Sequence, residues 1–175
     1  MVSVQREWQA LQLYTELEAE RFSHEFSFEF IKKADLDLSG FVMPSMMVQP
    51  LIENAIHHGL RHHIKPGLHL SVIMEHINET LKITVEDNGV GMVDPKPDGV
   101  KQEGKLRSLG VTMIRERIGI INGALHGNIG SLEIINKGIA PGETGNETEN
   151  ESGVKAVLIL PIFASESDLS QLTGM

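Results

Sequence analysis

Three clusters of residues in this 175-residue chain have types and spacings that could do chemistry. The first is Gln49-Pro50-Leu51-Ile52-Glu53-Asn54-Ala55-Ile56-His57-His58-Gly59. On a helix, Leu51, Asn54 and His58 share one face. An amide and an imidazole on an otherwise apolar face need hydrogen-bond partners or a ligand. The same pattern also fits a satisfied buried Asn beside a surface histidine pair. The second cluster is Val85-Glu86-Asp87-Asn88-Gly89-Val90-Gly91-Met92, directly after an apolar run. Its glycines allow close backbone approach to a ligand, and Asp87 could accept a hydrogen bond from an exocyclic amine. Asp-Asn-Gly is equally the chemistry of a tight turn. The third is Ser108-Leu109-Gly110-Val111-Thr112-Met113, read as the opening of a helix. A helix start presents free N–H groups and a positive dipole end, which suit phosphate.

These clusters need elements to hold them. Ala10, Leu13, Leu17 and Arg21 recur at helical spacing between Trp8 and Phe22, which predicts an amphipathic helix. Phe26, Phe28 and Phe30 alternate with polar residues as in a half-buried strand. A second helix is expected from about Pro44 to Leu60, with Pro50 marking either a kink or a late start. Strands are expected from Leu68 to Ile77 and from Leu81 to Val85, joined by a turn at Asn78-Glu79-Thr80. Residues 93–108 hold Pro95, Pro97, Gly99 and Gly104 and read as a long exposed lid loop. A third helix is expected over Leu109 to Asn122, with Val111, Ile114, Ile118 and Ile121 on one side. Short strands at Leu132 to Ile135 and Val154 to Leu160 flank a polar, Gly-rich loop. The sum is an α/β (α+β) two-layer sandwich: a mixed, mostly antiparallel sheet of about five strands, with about three helices on one face. Residues 1–163 are expected to form one domain and residues 164–175 a frayed tail.

Composition narrows the options. A formal charge of −9 argues against a general nucleic-acid binder, because phosphate backbones are held mainly by Lys and Arg. The absence of cysteine rules out disulfides and thiolate metal sites. No apolar run is long enough to cross a bilayer, and the first residues carry no signal-peptide pattern. A soluble, intracellular location without direct membrane contact is expected, and the chain could still be the soluble end of a larger membrane protein.

Taken together, the order and spacing of the three clusters resemble the nucleotide-binding boxes of the gyrase, heat-shock-chaperone, histidine-kinase and MutL superfamily of ATPases. More narrowly, Tyr14 to Phe22, Met43-Pro44 with the run from Gln49 to Gly59, Arg115-Glu116-Arg117-Ile118, and Gly153 to Pro161 resemble the LytS-type class of bacterial sensor histidine kinases. That resemblance implies a Bergerat-type fold that binds ATP and Mg²⁺. It implies Asn54 as the Mg²⁺ ligand and Asp87 as the partner of the adenine amino group. Gly89, Gly91 and Met92 would line the nucleotide, Leu109, Gly110 and Val111 would close over its phosphates, and Gly153 would belong to the closing strand. His57 falls where many such kinases have a phosphate-binding cation, and His58 accompanies it. Glu53 is a catalytic candidate that could polarise a water; a structural hydrogen bond is the other reading.

The departures from the pattern are Ser108 for Gly, Met113 for Asn and Val154 for Thr. They motivate an alternative reading, a degenerate nucleotide-sensing or interaction module without phosphotransfer. Pro50 stands where the mechanical ATPases of the superfamily place a catalytic Glu. None of the eight histidines has the Pro-His-Phe setting of the class's phosphoacceptor. The resemblance therefore implies a histidine-bearing dimerisation segment outside this chain as partner, a response regulator indirectly, and an isolated domain that is inactive.

Overall fold

A computed structural model describes residues 1–33, 40–61, 66–92, 103–138 and 152–164. The expected lid over residues 93–102, most of the Gly-rich loop and the tail from residue 165 lie outside these residues.

The chain opens with β1 (Val2–Ser3) and α1 (Val4–Arg21), followed by β2 (Phe26–Lys33) and β3 (Val42–Met43). Next come α2 (Gln49–Asn54) and a π-helical continuation (Ala55–Leu60), then β4 (Leu68–Ile77) and β5 (Thr80–Asp87). Last are α3 (Glu103–Ala124), β6 (Ser131–Gly138) and β7 (Gly153–Pro161). Five strands form the main sheet in the order β2-β4-β5-β7-β6. Only the β2–β4 pair is parallel; β4–β5, β5–β7 and β6–β7 are antiparallel. A parallel pair needs a crossover connection, and here it carries α2 and the π segment across one face. β1 and β3 form a separate two-stranded ribbon.

Period-2 alternation sets which face is covered. Leu68, Leu70, Val72 and Met74 of β4, Leu81, Ile83, Val85 and Asp87 of β5, and Ala156, Leu158 and Leu160 of β7 are all buried. They share one face, on which Trp8, Leu11, Leu51, Ile52, Ile56, Ile114 and Ile118 of the helices join the same core. Each of the large apolar side chains among these contributes roughly 1.5–3 kcal/mol by leaving water. The opposite face is studded with pairs such as Lys33–Glu75 and Lys82–Glu75. The expected two-layer sandwich is thus the observed one.

Three details differ from the sequence reading. In α1 the buried row is Val4, Trp8, Leu11, Thr15, Glu18 and Ala19, while Leu13 and Leu17 are 61% and 65% exposed. Two rows on this helix have helical spacing, and the one carrying Trp8 goes inside because that large ring packs edge-on against Phe30 of β2, centroids 5.0 Å apart. Of the two roles offered for Pro50, the late start is the one observed. α2 begins at Gln49, not near Pro44, and Pro50 sits in its first turn, where a missing N–H costs nothing. Finally, α3 begins at Glu103, so residues 103–108 are helix and not loop. Glu103, Lys105, Leu106 and Arg107 are all good helix formers, which outweighs the single Gly104.

Candidate functional site

The site is built around the end of β5. Asp87 is 3% exposed, and its Oδ1 accepts the Gly89 N–H at 2.9 Å. Three glycines, Gly59 and Gly153 from distant parts of the chain and Gly89 from the following turn, close the backbone around this strand end. A Cβ added to Gly59 of the π segment would stand 2.6 Å from Asp87 Oδ1. A Cβ on Gly89 would overlap the Gly59 carbonyl, and one on Gly153 would overlap the Asp87 carbonyl. Gly153 also has φ +115, a conformation side chains rarely adopt. The Val90 N–H donates to Gly59 O at 3.1 Å, which locks the glycine loop under the π segment. A side chain at Gly59 or Gly89 would push the π segment away from the end of β5, and one at Gly153 would push β7 off the Asp87 backbone.

Two asparagines that sequence reasoning missed hold the loop from either side. Asn88 Oδ1 accepts the His69 N–H at 2.7 Å, and its Nδ2 donates to Gly67 O at 2.8 Å. Asn136 Oδ1 accepts the Met92 N–H at 3.0 Å while its Nδ2 donates to Met92 O at 3.2 Å. Asn88 carried a signal as the middle of Asp-Asn-Gly; Asn136 carried none, because its partner lies 44 residues away. Gly91 has φ +76, and a Cβ there would overlap the Gly138 carbonyl of β6. Beside the loop, burial alone would raise the Glu86 carboxyl. The hydrogen bond and charge of Lys137 at 2.8 Å, with Lys155 at 3.4 Å, outweigh that and hold it below the usual carboxylate value.

Asn54 is the last residue of α2, half-buried, and its side chain makes no hydrogen bond among the described residues. It immediately precedes the segment that presses Gly59 on Asp87. His58 is half-buried in that segment. His57 is held by α1: its Nε2 lies 3.0 Å from Glu18 Oε2 and its ring meets Phe22 edge-on. A carboxylate already occupies the position expected to be offered to phosphate. Glu53 accepts a hydrogen bond from Gln49 Nε2 at 2.8 Å, so of its two readings the structural one has a geometric basis. Burial, then the charges of Glu53 and Glu18, push the phenol of nearby Tyr14 up to about 12.

The third cluster is placed differently from expectation. Because α3 starts at Glu103, the N–H groups of Ser108, Leu109 and Gly110 fall beyond the first four and bond within the helix. Gly110 packs instead toward Pro50, where a Cβ would stand 3.3 Å from the proline Cβ. Leu109 is 57% and Met113 52% exposed, and Val111 is half-buried. Gly153 and Met92 border the Asp87 loop, the latter exposed. Among the described residues no three His, Cys, Asp or Glu side chains converge on a common point.

This fold is that of histidine-kinase catalytic domains. The catalytic domain of histidine kinase ThkA superposes with a TM-score of 0.57 over 91% of this chain and 94% of that chain, at 14% identity. ThkA in complex with response regulator protein TrrA aligns at 0.51 over 94% of this chain and 42% of that one, at 15% identity.

By sequence, the chain is a relative of the LytS and YesM sensor histidine kinases. It is 34% identical over 95 residues to sensor protein LytS of Staphylococcus haemolyticus, 54% of this chain and 16% of LytS. It is 28% identical over 162 residues to sensor histidine kinase YesM of Bacillus subtilis, 92% of this chain and 24% of YesM. The chain thus spans less than a quarter of the length of either protein. No family model matches it. No described helix is long and apolar enough to cross a membrane.

Proposed function

We propose that this chain is the ATP-binding catalytic domain of a two-component sensor histidine kinase. It holds Mg-ATP for transfer of the γ-phosphoryl group to a histidine on a separate segment of the parent protein. The observation that carries this reading is the buried Asp87 carboxylate, with Gly59 pressed against its oxygens, Gly89 packed on the Gly59 backbone and Gly153 on the Asp87 backbone carbonyl. A carboxylate is a pure acceptor, so it selects a ligand edge that donates, such as the amino group of adenine. Bare glycine backbones let a flat base come within contact distance.

Asn54 is the residue that fits a magnesium ion. Its half-buried amide has no hydrogen bond among the described residues, and Mg²⁺ takes oxygen ligands while keeping several waters and substrate phosphates. With no converging acidic cluster among the described residues, one amide oxygen is what the protein side would offer. The ion would supply positive charge that offsets the charge on the phosphates. The chain's own work is then positioning: Asp87 fixes the base, the glycine loop excludes side chains from it, and Asn54 orients the phosphate end. Leu109, Gly110 and Val111 reach the phosphates only if the first turns of α3 open, since their N–H groups are committed within the helix. His57 is left out of the phosphate site because Glu18 engages it. The response regulator of the parent system is the indirect partner, by analogy with the ThkA–TrrA complex.

Calorimetry with a non-hydrolysable ATP analogue, with and without Mg²⁺, tests the binding. Incubation with γ-labelled ATP and a separate histidine-bearing hairpin of the parent kinase tests the transfer. Label on the hairpin and none on the chain alone is expected. Mg-independent failure to bind any adenine nucleotide would refute the reading.

A further inference from the structure

α1 and the second helical arm face each other along two matched rows. On α1 the row is Tyr14, Glu18 and Phe22; on the arm it is Glu53, His57 and Arg61. Both have the four-residue step that keeps side chains on one helix face. Glu18 Oε2 lies 3.0 Å from His57 Nε2. Phe22 meets the His57 ring edge-on at 5.8 Å and lies under the Arg61 guanidinium, also at 5.8 Å. Tyr14 sits within the field of Glu53 and Glu18.

Glu18 is the unusual member. It is 8% exposed, and a carboxylate removed from water must be compensated by charge or hydrogen bonds. Arg21 reaches its Oε1 only at 3.4 Å from a side chain that is 70% exposed, a weak contact. Oε2 makes no directed hydrogen bond, so the 3.0 Å approach of His57 Nε2 is close but out of line. His57 is therefore its closest polar neighbour, nearer than Arg21.

His57 belongs to a segment gripped on its other side by the sheet. Gly59, two residues on, lies against Asp87 and bonds the Val90 N–H. Asn54 is the residue before this segment, and the Arg61 N–H reaches back five residues to Ile56 O, the wide step of a π-helix. Such segments recur at functional sites because they turn side chains away from their α-helical direction.

We propose that Glu18 is a positioning residue for the nucleotide site. By holding His57 it sets the orientation of the π-helical segment, and with it the placement of Asn54 toward the phosphates of a nucleotide anchored on Asp87. The position of α1 is thereby transmitted to the phosphate end of the site and not to the adenine end. This rests on the nucleotide reading above, and the two ends can be tested apart.

The test uses the 175-residue chain and two ligands: ADP in EDTA, which engages the adenine end, and Mg²⁺ with a non-hydrolysable ATP analogue, which engages both. Glu18→Ala should weaken the Mg-analogue about tenfold and leave ADP in EDTA within about twofold, a displacement of Asn54 being worth on the order of one hydrogen bond. Glu18→Gln, which keeps the shape, should restore part of the loss. The double variant Glu18→Ala/His57→Ala should be no worse than Glu18→Ala alone, since both remove one interaction. Binding of the two ligands weakened equally, or a folded Glu18→Ala with unchanged Mg-analogue affinity, would overturn the proposal. Should Glu18→Ala not fold, hydrogen exchange on the unsubstituted chain decides. By linkage, the Mg-analogue must slow exchange over residues 14–22 while ADP in EDTA does not, and no such difference sinks the idea. A chain that binds neither ligand would instead overturn the nucleotide reading itself, and this proposal with it.

Discussion

Gly59 lies with its α-carbon against the Asp87 carboxylate, so close that a methyl group there would stand 2.6 Å from Oδ1. A helical Gly→Ala change ordinarily stabilises by roughly 0.5–1 kcal/mol. Here the sign should reverse, because an overpacked buried position costs about 1–3 kcal/mol. Gly59→Ala is expected to lower the urea midpoint and to weaken adenine-nucleotide binding, since the group displaced is Asp87. An unchanged midpoint would mean that the π segment can shift without cost.

Asp87→Asn separates the fold from recognition. The amide oxygen can still accept the Gly89 N–H that Oδ1 accepts now, so the melting temperature should move by no more than a few degrees. The charge-assisted acceptor for a ligand amine is lost. Hydrogen bonds to charged groups contribute about 1.5–3 kcal/mol, so affinity for adenine nucleotides should fall roughly tenfold to a hundredfold. Guanine nucleotides, which present a carbonyl at the corresponding position, should gain relative to adenine.

Val154 lies on β7 next to Gly153, on the same face as Ala156 and Leu158. It is half-buried and stands where the histidine-kinase resemblance leads one to expect a threonine. Val154→Thr should tighten ATP-analogue binding by up to about tenfold, the worth of one added hydrogen bond. No change would indicate that the base does not reach Asp87.

Tyr14 is the only tyrosine in the chain, so its ionisation can be followed directly by ultraviolet absorbance. The midpoint should lie near 12 in the folded state, raised by burial and then by Glu53 and Glu18. Glu53→Gln should lower it. The folded state holds this proton more tightly than the unfolded chain, whose tyrosine titrates near 10. The contribution to stability is therefore complete below about pH 10 and is lost as pH rises from there toward 12. A midpoint near 10 for the native chain would mean that α1 and α2 are not packed as described.

Contiguous motifs were legible in the sequence. Asp87 to Gly91 follows an apolar strand with nothing intervening, and Asn54 lies within a helical pattern, so local chemistry and local periodicity agree there. The strands of the sheet were legible for the same reason: alternation in β2, β4 and β5 is a property of each strand alone. The two-layer arrangement followed from one apolar face per element.

What required the tertiary structure was every choice between locally equivalent options. α1 carries two rows of helical period, and only the presence of Phe30 decides that Trp8 and not Leu13 turns inward. The start of α3 depends on whether residues 103–108 join the helix, which their propensities favour but do not fix on their own. The glycines that shape the site, Gly59, Gly89 and Gly153, are separated by up to 94 residues in sequence, and no spacing rule relates them. They meet because β5 lies between the π segment and β7. The Glu18–His57 contact is of the same kind. Each residue reads as an ordinary helix-surface group until packing brings two helices side by side and takes the water away.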